Sequence, residues 1–118
     1  MKTLRMNLTL ESVPVELVGK DGKVKKYKLI EMDGEKRGKY TNESSALFEM
    51  SENGSIKKIL SYEKMDVLLL SFCLYDEKDE LVKIEELFTY PSRVLEELKK
   101  EARRLNGFDE SREEVKNG

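Results

Sequence analysis

The pattern of apolar residues changes period near the middle of the chain, and this change limits the folds that the sequence allows. Over residues 1–32 apolar and polar residues alternate, which is typical of half-buried β-strands. From residue 61 onward apolar residues recur at spacings of three and four, which is typical of helices that bury one face. The sequence therefore predicts a single domain over residues 1–118 of the α+β class, with an N-terminal antiparallel β-hairpin or meander packed against about three C-terminal helices.

Two or three strands are predicted within the β-rich part, residues 1–32. The segments 13–19 and 23–32 are predicted to pair through a turn at Gly19–Gly22, because Asp21-Gly22 is a favoured hairpin dipeptide. Pro14 suits an edge strand better than a central one. A further strand is predicted ahead of this pair, from the alternating residues Leu4, Met6, Leu8 and Leu10.

The connection over residues 33–60 gives weaker signals. Asn42 is a candidate N-cap for a short helix, and Asn53-Gly54-Ser55 is expected to end that helix. The segment 56–60 fits either a short strand or a direct lead into the next helix. The apolar residues of the predicted short helix are Ala46, Leu47, Phe48 and Met50.

The helical part spans residues 61–108. Ser61 is the predicted N-cap of an apolar helix that ends near Tyr75, and a helical turn is expected over residues 84–88. The last helix is expected to begin at Pro91, to end at Asn106-Gly107, and to be followed by Phe108 folding back onto it. Residues 109–118 are predicted to fray. The stripe of the last helix consists of Val94, Leu95, Leu98, Ala102 and Leu105.

The absence of histidine excludes several kinds of site. The sequence cannot form a Ser-His-Asp triad, a Cys-His pair or a histidine metal ligand. Its single cysteine, Cys73, allows no intramolecular disulfide, and its apolar surroundings predict a buried, unreactive thiol. We therefore expect no catalytic residues, no metal and no cofactor. We also expect no membrane association, since no apolar run approaches the roughly 20 residues of a membrane span.

Two charged segments admit a functional interpretation beside a simpler one. The acidic run Asp76–Glu80 lacks the glycine and the glutamate that an EF-hand needs at positions six and twelve, where Leu81 and Leu87 stand. It is therefore interpreted as a solvated turn. The basic residues within 20–40 suit either the wet face of a strand or, as the alternative function, a small nucleic-acid-binding or regulatory protein. The net charge of −2 argues against nucleic acid as a partner, because the chain has no overall positive field to attract it.

The second half of the chain resembles the tail assembly chaperones of long-tailed bacteriophages and prophages, the class that includes the lambda G-like proteins. The resemblance covers residues 61–117 and rests on short motifs in a fixed order. Asp79-Glu80 departs from the Asp-Gly turn that such proteins are expected to have. The motifs are Leu68–Glu77, Asp79–Val82, Ile84–Leu87, Tyr90–Val94, Leu105–Phe108 and the final Glu113–Asn117.

The resemblance implies a non-catalytic function in the cytoplasm of the bacterial host. Members of this family are thought to coat the tape measure protein, keep it soluble, help to recruit the tail tube protein, self-associate, and be absent from the mature virion. Methionine and aromatic residues suit such a tolerant interface, although each of them also suits the core. The predicted partner-binding residues are Tyr62, Met65, Leu69, Phe72 and Tyr75.

Overall fold

The computed structural model describes residues 2–50, 56–59 and 62–108, and it has the predicted α+β fold. The predicted cap at Ser61, the helix stop at Asn53–Ser55 and the frayed tail at 109–118 lie outside these residues. The elements in chain order are β1 (Ser12–Val18), β2 (Val24–Ile30), α1 (Gly34–Ser45), β3 (Phe48–Met50), β4 (Ile56–Ile59), α2 (Tyr62–Leu68), α3 (Leu70–Cys73), β5 (Leu74–Tyr75), α4 (Ile84–Leu87) and α5 (Ser92–Leu105).

A three-stranded antiparallel sheet in the order β1-β2-β5 contains the predicted hairpin. The turn forms because Gly22 adopts a positive φ of 82° and the Asp21 carboxylate accepts a hydrogen bond from the Lys23 amide at 3.0 Å. Leu29 of β2 pairs with Val13 on one side and with Leu74 on the other. These three residues carry the face of the sheet that points into the core.

The strand predicted around Leu4 to Leu10 does not form, so that prediction is wrong. Residues 2–10, here called the arm, form no helix or strand and are exposed, with Leu4, Met6 and Leu8 at 77%, 81% and 96% exposure. The reason is a shift of phase, because the apolar residues up to Leu10 are even-numbered, whereas the half-buried residues of β1 are odd-numbered. A regular extension of β1 would place the apolar side chains of the arm on the solvent face of the sheet.

The helix predicted from Asn42 is also wrong, because the helix ends near that residue instead of beginning there. The N-cap of α1 is Asp33, whose carboxylate accepts a hydrogen bond from the Lys36 amide at 2.9 Å. The helix ends at Ser45 with Ala46 as its C-cap, and Phe48 and Met50 of the predicted helix belong to β3. β3 pairs antiparallel with β4, which confirms the strand alternative for residues 56–59.

The apolar helix that was predicted to end near Tyr75 is replaced by two shorter helices, α2 and α3. α2 and α3 are separated at Leu69, where the Phe72 amide bonds to the carbonyl three residues back and the Ser71 hydroxyl donates to the Leu68 carbonyl. Helical structure ends at Cys73, and Leu74 turns to an extended ψ of 121°. This change lets Leu74 and Tyr75 pair with β2, which is a gain in backbone hydrogen bonds that local periodicity does not reveal.

The last helix and its C-cap agree with the sequence. Gly107 has a φ of 72°, the Phe108 amide bonds to the Arg103 carbonyl and the Gly107 amide bonds to that of Arg104, which together form a Schellman motif. The expected helical turn is α4, and Phe108 packs back against the core. The buried core residues on the sheet and the helices are Leu29, Met32, Val67, Leu69, Leu70, Cys73, Leu74, Val82, Leu87, Leu98, Ala102 and Leu105.

Candidate functional site

The five residues predicted to bind a partner are distributed over several environments. Tyr62 begins α2, and its side chain lies outside the described part of the structure. Met65 is half-buried on α2, whereas Leu69 is only 3% exposed and belongs to the core. Phe72 is half-buried and packs against the core, and Tyr75 pairs with Lys28 in the sheet. The structure therefore does not bring these five residues to one helical face, and Leu69 fits the core alternative.

Met65 lines a cleft of about 420 Å³ to which α1, α2 and α5 contribute. The apolar part of the cleft consists of Met65, Leu47 and Leu68, and the last two are only 9% and 6% exposed. Its polar part comes from Lys99 and Arg103 of α5. The other two lining residues are Tyr40 and Ser44 of α1.

Two basic side chains reach the cleft because they lie on the same face of α5. Lys99 and Arg103 are four residues apart, so they lie on the same face of the helix, one turn from each other. The Lys99 ammonium group is 3.6 Å from a Glu96 carboxylate oxygen, and the Arg103 guanidinium carbon is 5.6 Å from the centre of the Phe108 ring. The cleft thus combines an apolar floor with positive charge on the side of α5.

A row of aromatic side chains joins the cleft to the neighbouring helices. Tyr40 contacts Phe72 edge-on, with ring centres 6.0 Å apart, and lies 5.9 Å from the ring of Phe108. The Arg37 guanidinium carbon is 4.1 Å from the centre of the Phe108 ring, within the range of a cation–π contact. These contacts hold α1 against α3 and the end of α5, so they position Tyr40 at the cleft.

Of the residues that line the cleft, only Met65 was predicted from the sequence to bind a partner. Sequence analysis missed Tyr40 and Ser44 because it did not predict α1, for which Asp33-Gly34-Glu35 was the available signal. Lys99 and Arg103 were available as an i,i+4 pair beside the predicted stripe of α5. Nothing local in the sequence indicates that this pair faces α1 and α2.

The basic segment of the alternative hypothesis does not form one surface. Lys26 and Lys28 lie on the outer face of the sheet, whereas Lys25 shares the opposite face with Leu17. The Lys28 ammonium group forms a salt bridge with Asp79 of the acidic turn. Because acidic groups stand beside these lysines, the local field offered to a phosphate backbone is weakened.

The side chains with reactive groups are held in structural contacts. Burial raises the pKa of the Cys73 thiol to about 11, although the Asn106 amide group donates to its sulfur at 3.5 Å. Tyr90 and Tyr27 both donate to one Glu86 oxygen, at 2.6 and 3.3 Å, and burial together with these bonds raises the pKa of Tyr90. Among the described residues no three Cys, Asp or Glu side chains are grouped so as to hold a metal ion.

The acidic turn after β5 is organised by its own first residue. The Asp76 carboxylate accepts hydrogen bonds from the Lys78 amide at 2.8 Å and from the Glu80 amide at 3.1 Å. Asp79 has a positive φ of 62°, a conformation that glycine adopts most readily. One oxygen of the Asp76 carboxylate thus closes the turn through two backbone amides.

Comparisons with known proteins give no relative for this chain. No family model matches it, and neither the curated proteins nor the solved structures contain a match. Within the described residues, no helix has both the length and the apolar character needed to cross a membrane.

Proposed function

We propose that this chain is a non-catalytic tail assembly chaperone of a long-tailed bacteriophage or prophage, which coats the tape measure protein, keeps it soluble and helps to recruit tail tube subunits. Its place of action would be the cytoplasm of the bacterial host, and it would leave before the virion is complete. The proposal starts from the resemblance of residues 61–117 to this family. The observation that carries it furthest is the cleft at Met65.

The floor of the cleft suits apolar side chains that vary along a partner. Its volume of about 420 Å³ is within the range of sites that enclose small ligands or a few side chains. Met65 has an unbranched, flexible side chain that adapts to different shapes, and Leu47 and Leu68 supply a firm apolar base. A chaperone that covers many segments of one long helical protein needs this tolerance more than it needs shape specificity.

The positive side of the cleft suits an amphipathic helix with acidic residues beside its apolar stripe. Lys99 and Arg103 are spaced by one helical turn, so they suit acidic residues that are placed one turn apart on a partner helix. Such charges steer the partner and fix its orientation more than they add affinity. Many copies bound side by side would then cover a long helical protein.

Charge reversal on α5 tests this proposal with a matched control. Lys99→Glu changes the cleft, whereas Lys100→Glu changes the exposed neighbouring position, and both place a new carboxylate near Glu96 or Glu97. In co-purification with a tagged cognate tape measure protein, we expect Lys99→Glu to reduce the bound chain at least about threefold, because like charges across an interface are disfavoured. Lys100→Glu should bind like the wild type.

The outcomes separate the function from the site. If both variants bind the tape measure protein as the wild type does, the cleft is not the binding site. If the folded wild type itself does not bind, the proposed function is wrong. Circular dichroism spectra of both variants establish that the fold is retained.

A further inference from the structure

The arm and the outer edge of β1 are two surfaces that no strand in the described part of the chain covers, and their chemistry matches. The arm carries four apolar residues at alternate positions, and polar residues stand between them. Within the described residues no strand lies against β1 on the side away from β2. The core-facing residues of β1, Val13, Val15 and Leu17, are only half-buried. An added strand with an alternating apolar face would complete their burial.

The hydrogen bonds of the hairpin show which backbone groups this edge offers. The Glu31 amide donates to the Glu11 carbonyl and the Gly19 amide donates to that of Lys23, so the odd-numbered residues from 11 to 19 bond toward β2. The even-numbered residues of β1 therefore direct their amides and carbonyls outward. Pro14 is one of them, so the missing donor removes a single bond from the outer edge.

The arm is poorly placed to pair with the outer edge of β1 in its own chain. Glu11 is already fixed to Glu31, since its amide donates to the Glu31 carboxylate at 2.8 Å and its carbonyl accepts from the Glu31 amide. The arm would have to reverse around the bend at Asn7–Thr9, where the Asn7 side chain accepts from the Thr9 amide at 2.8 Å. Such a reversal would consume Leu8 and Leu10 in the turn and leave Leu4 as the apolar residue facing β1.

We infer that the arm pairs antiparallel with the outer edge of β1 of a second copy of this chain, and that the second copy returns its own arm in the same way. The faces match only if an even-numbered arm residue stands opposite an odd-numbered β1 residue. Charge selects among the registers that satisfy this condition, because Arg5 then lies opposite Glu16 on the solvent face. In that register the apolar pairs are Leu4 with Leu17, Met6 with Val15, and Leu8 with Val13.

The exchange is consistent with two-fold symmetry. In the chosen register the residue numbers of each opposed pair add to 21. Residue 4 of one copy therefore faces residue 17 of the other, and the reverse pair is identical, as a two-fold axis requires. This axis passes between Leu10 and Glu11. The phase shift between Leu10 and Val13 supplies the bulge that lets each arm leave its own sheet. This dimer holds whether or not the chain binds a tape measure protein.

Disulfide trapping in the full chain distinguishes the possible partners of the arm. Met6 and Val15 would form a non-hydrogen-bonded pair, which is the closer kind of pair and suits a disulfide. We expect the double variant Met6→Cys, Val15→Cys to give a covalent dimer under mild oxidation. The matched variant Arg5→Cys, Val15→Cys should give no covalent dimer under the same conditions, because position 5 points to the opposite face of the sheet. The wild type controls for Cys73, which is buried.

Each result decides the inference. A disulfide within one chain would show that the arm folds back on its own β1, and no disulfide at all would show that the arm does not reach this edge in either way. Sedimentation velocity gives an independent readout, in which the wild type should have twice the 13.7 kDa mass of the chain. Met6→Asp should weaken that association at least tenfold, and Asn7→Asp, with the same charge on the other face, should not. A wild type that is monomeric at 100-fold different concentrations, up to the highest soluble one, would overturn the inference.

Discussion

Asn106 is expected to stabilise the protein more than any other polar side chain described above. It ends α5, and its side-chain oxygen accepts a hydrogen bond from the Met32 amide at 2.9 Å, 74 residues away in sequence. Its amide nitrogen donates to the Ala102 carbonyl at 2.8 Å and to the Cys73 sulfur at 3.5 Å. One side chain thus joins the end of β2, α3 and the end of α5.

The cost of Asn106→Ala follows from what each of these partners loses. The Met32 amide would be left without its acceptor in a part-buried place, which costs about 1–3 kcal/mol. The Ala102 carbonyl keeps the backbone amide of residue 106 at 3.1 Å, so its loss is about 0.5–1 kcal/mol. The bond to sulfur adds little. We expect the free energy of unfolding to fall by about 2–3 kcal/mol and the melting temperature to fall by about 6–15 °C.

Urea denaturation followed by circular dichroism measures this change, and Asn42→Ala serves as the matched control. Asn42 is exposed on α1, so its replacement should change stability by less than about 0.5 kcal/mol. Asn106→Asp keeps the acceptor for Met32 but loses the donor and places a negative charge at the end of α5, so it should still cost about 1 kcal/mol or more. If Asn106→Ala and Asn42→Ala are equally harmless, the account of this junction is wrong.

Four further predictions concern the Cys73 thiol, a turn and the basic segment. Burial raises the pKa of the Cys73 thiol to about 11 in the folded chain, so the unfolded chain loses this proton at a lower pH. The free energy of unfolding, relative to that of Cys73→Ala, should therefore be constant below pH 9 and fall between about pH 9 and 11. Native Cys73 should also react with a thiol reagent far more slowly than the chain in denaturant, and equal rates would contradict its burial. Asp79→Gly should be about 1 kcal/mol more stable than Asp79→Ala in thermal unfolding, because only glycine adopts a φ of 62° without strain, and equal stabilities would refute this reasoning. Fluorescence anisotropy with labelled DNA and RNA at physiological salt should show no binding tighter than about 1 µM, and tighter, steeply salt-dependent binding would favour the alternative function.

Local chemistry in the sequence was sufficient where a few neighbouring residues determine a structure. Asp21-Gly22 predicts the hairpin turn, and Asn106-Gly107 predicts the end of α5, because a positive φ and side-chain acceptors act within one turn of chain. The stripe of α5 follows from its spacing alone. In each of these cases the decisive interactions lie within about five residues of one another.

Pairing between distant segments explains most of the differences. Leu74 and Tyr75 continue an apolar helix by periodicity, yet they form a strand because β2 offers an edge to them. The arm alternates as a strand should, yet no strand among the described residues pairs with it, because its phase differs from that of β1. Both outcomes depend on contacts that a window of sequence does not contain.

The cleft could be predicted only in part for the same reason. Met65 stood out as a flexible apolar residue on a predicted helix, but Tyr40 and Ser44 lie on α1, which begins at an inconspicuous Asp33-Gly34. Leu69, which was predicted beside Met65 as a contact, is in the core because α2 and α3 pack against other elements on more than one side. Helical periodicity identifies apolar residues, but it does not distinguish a core face from a partner face.

The solubility of the cognate tape measure protein tests the proposed function most directly. That protein is expressed alone and together with the wild-type chain, and its amount in the soluble fraction is compared by quantitative immunoblotting. The proposed function predicts that co-expression moves most of it from the insoluble to the soluble fraction, in a complex with many copies of this chain per tape measure chain. A folded wild-type chain that leaves the tape measure protein insoluble and unbound would contradict the proposed function.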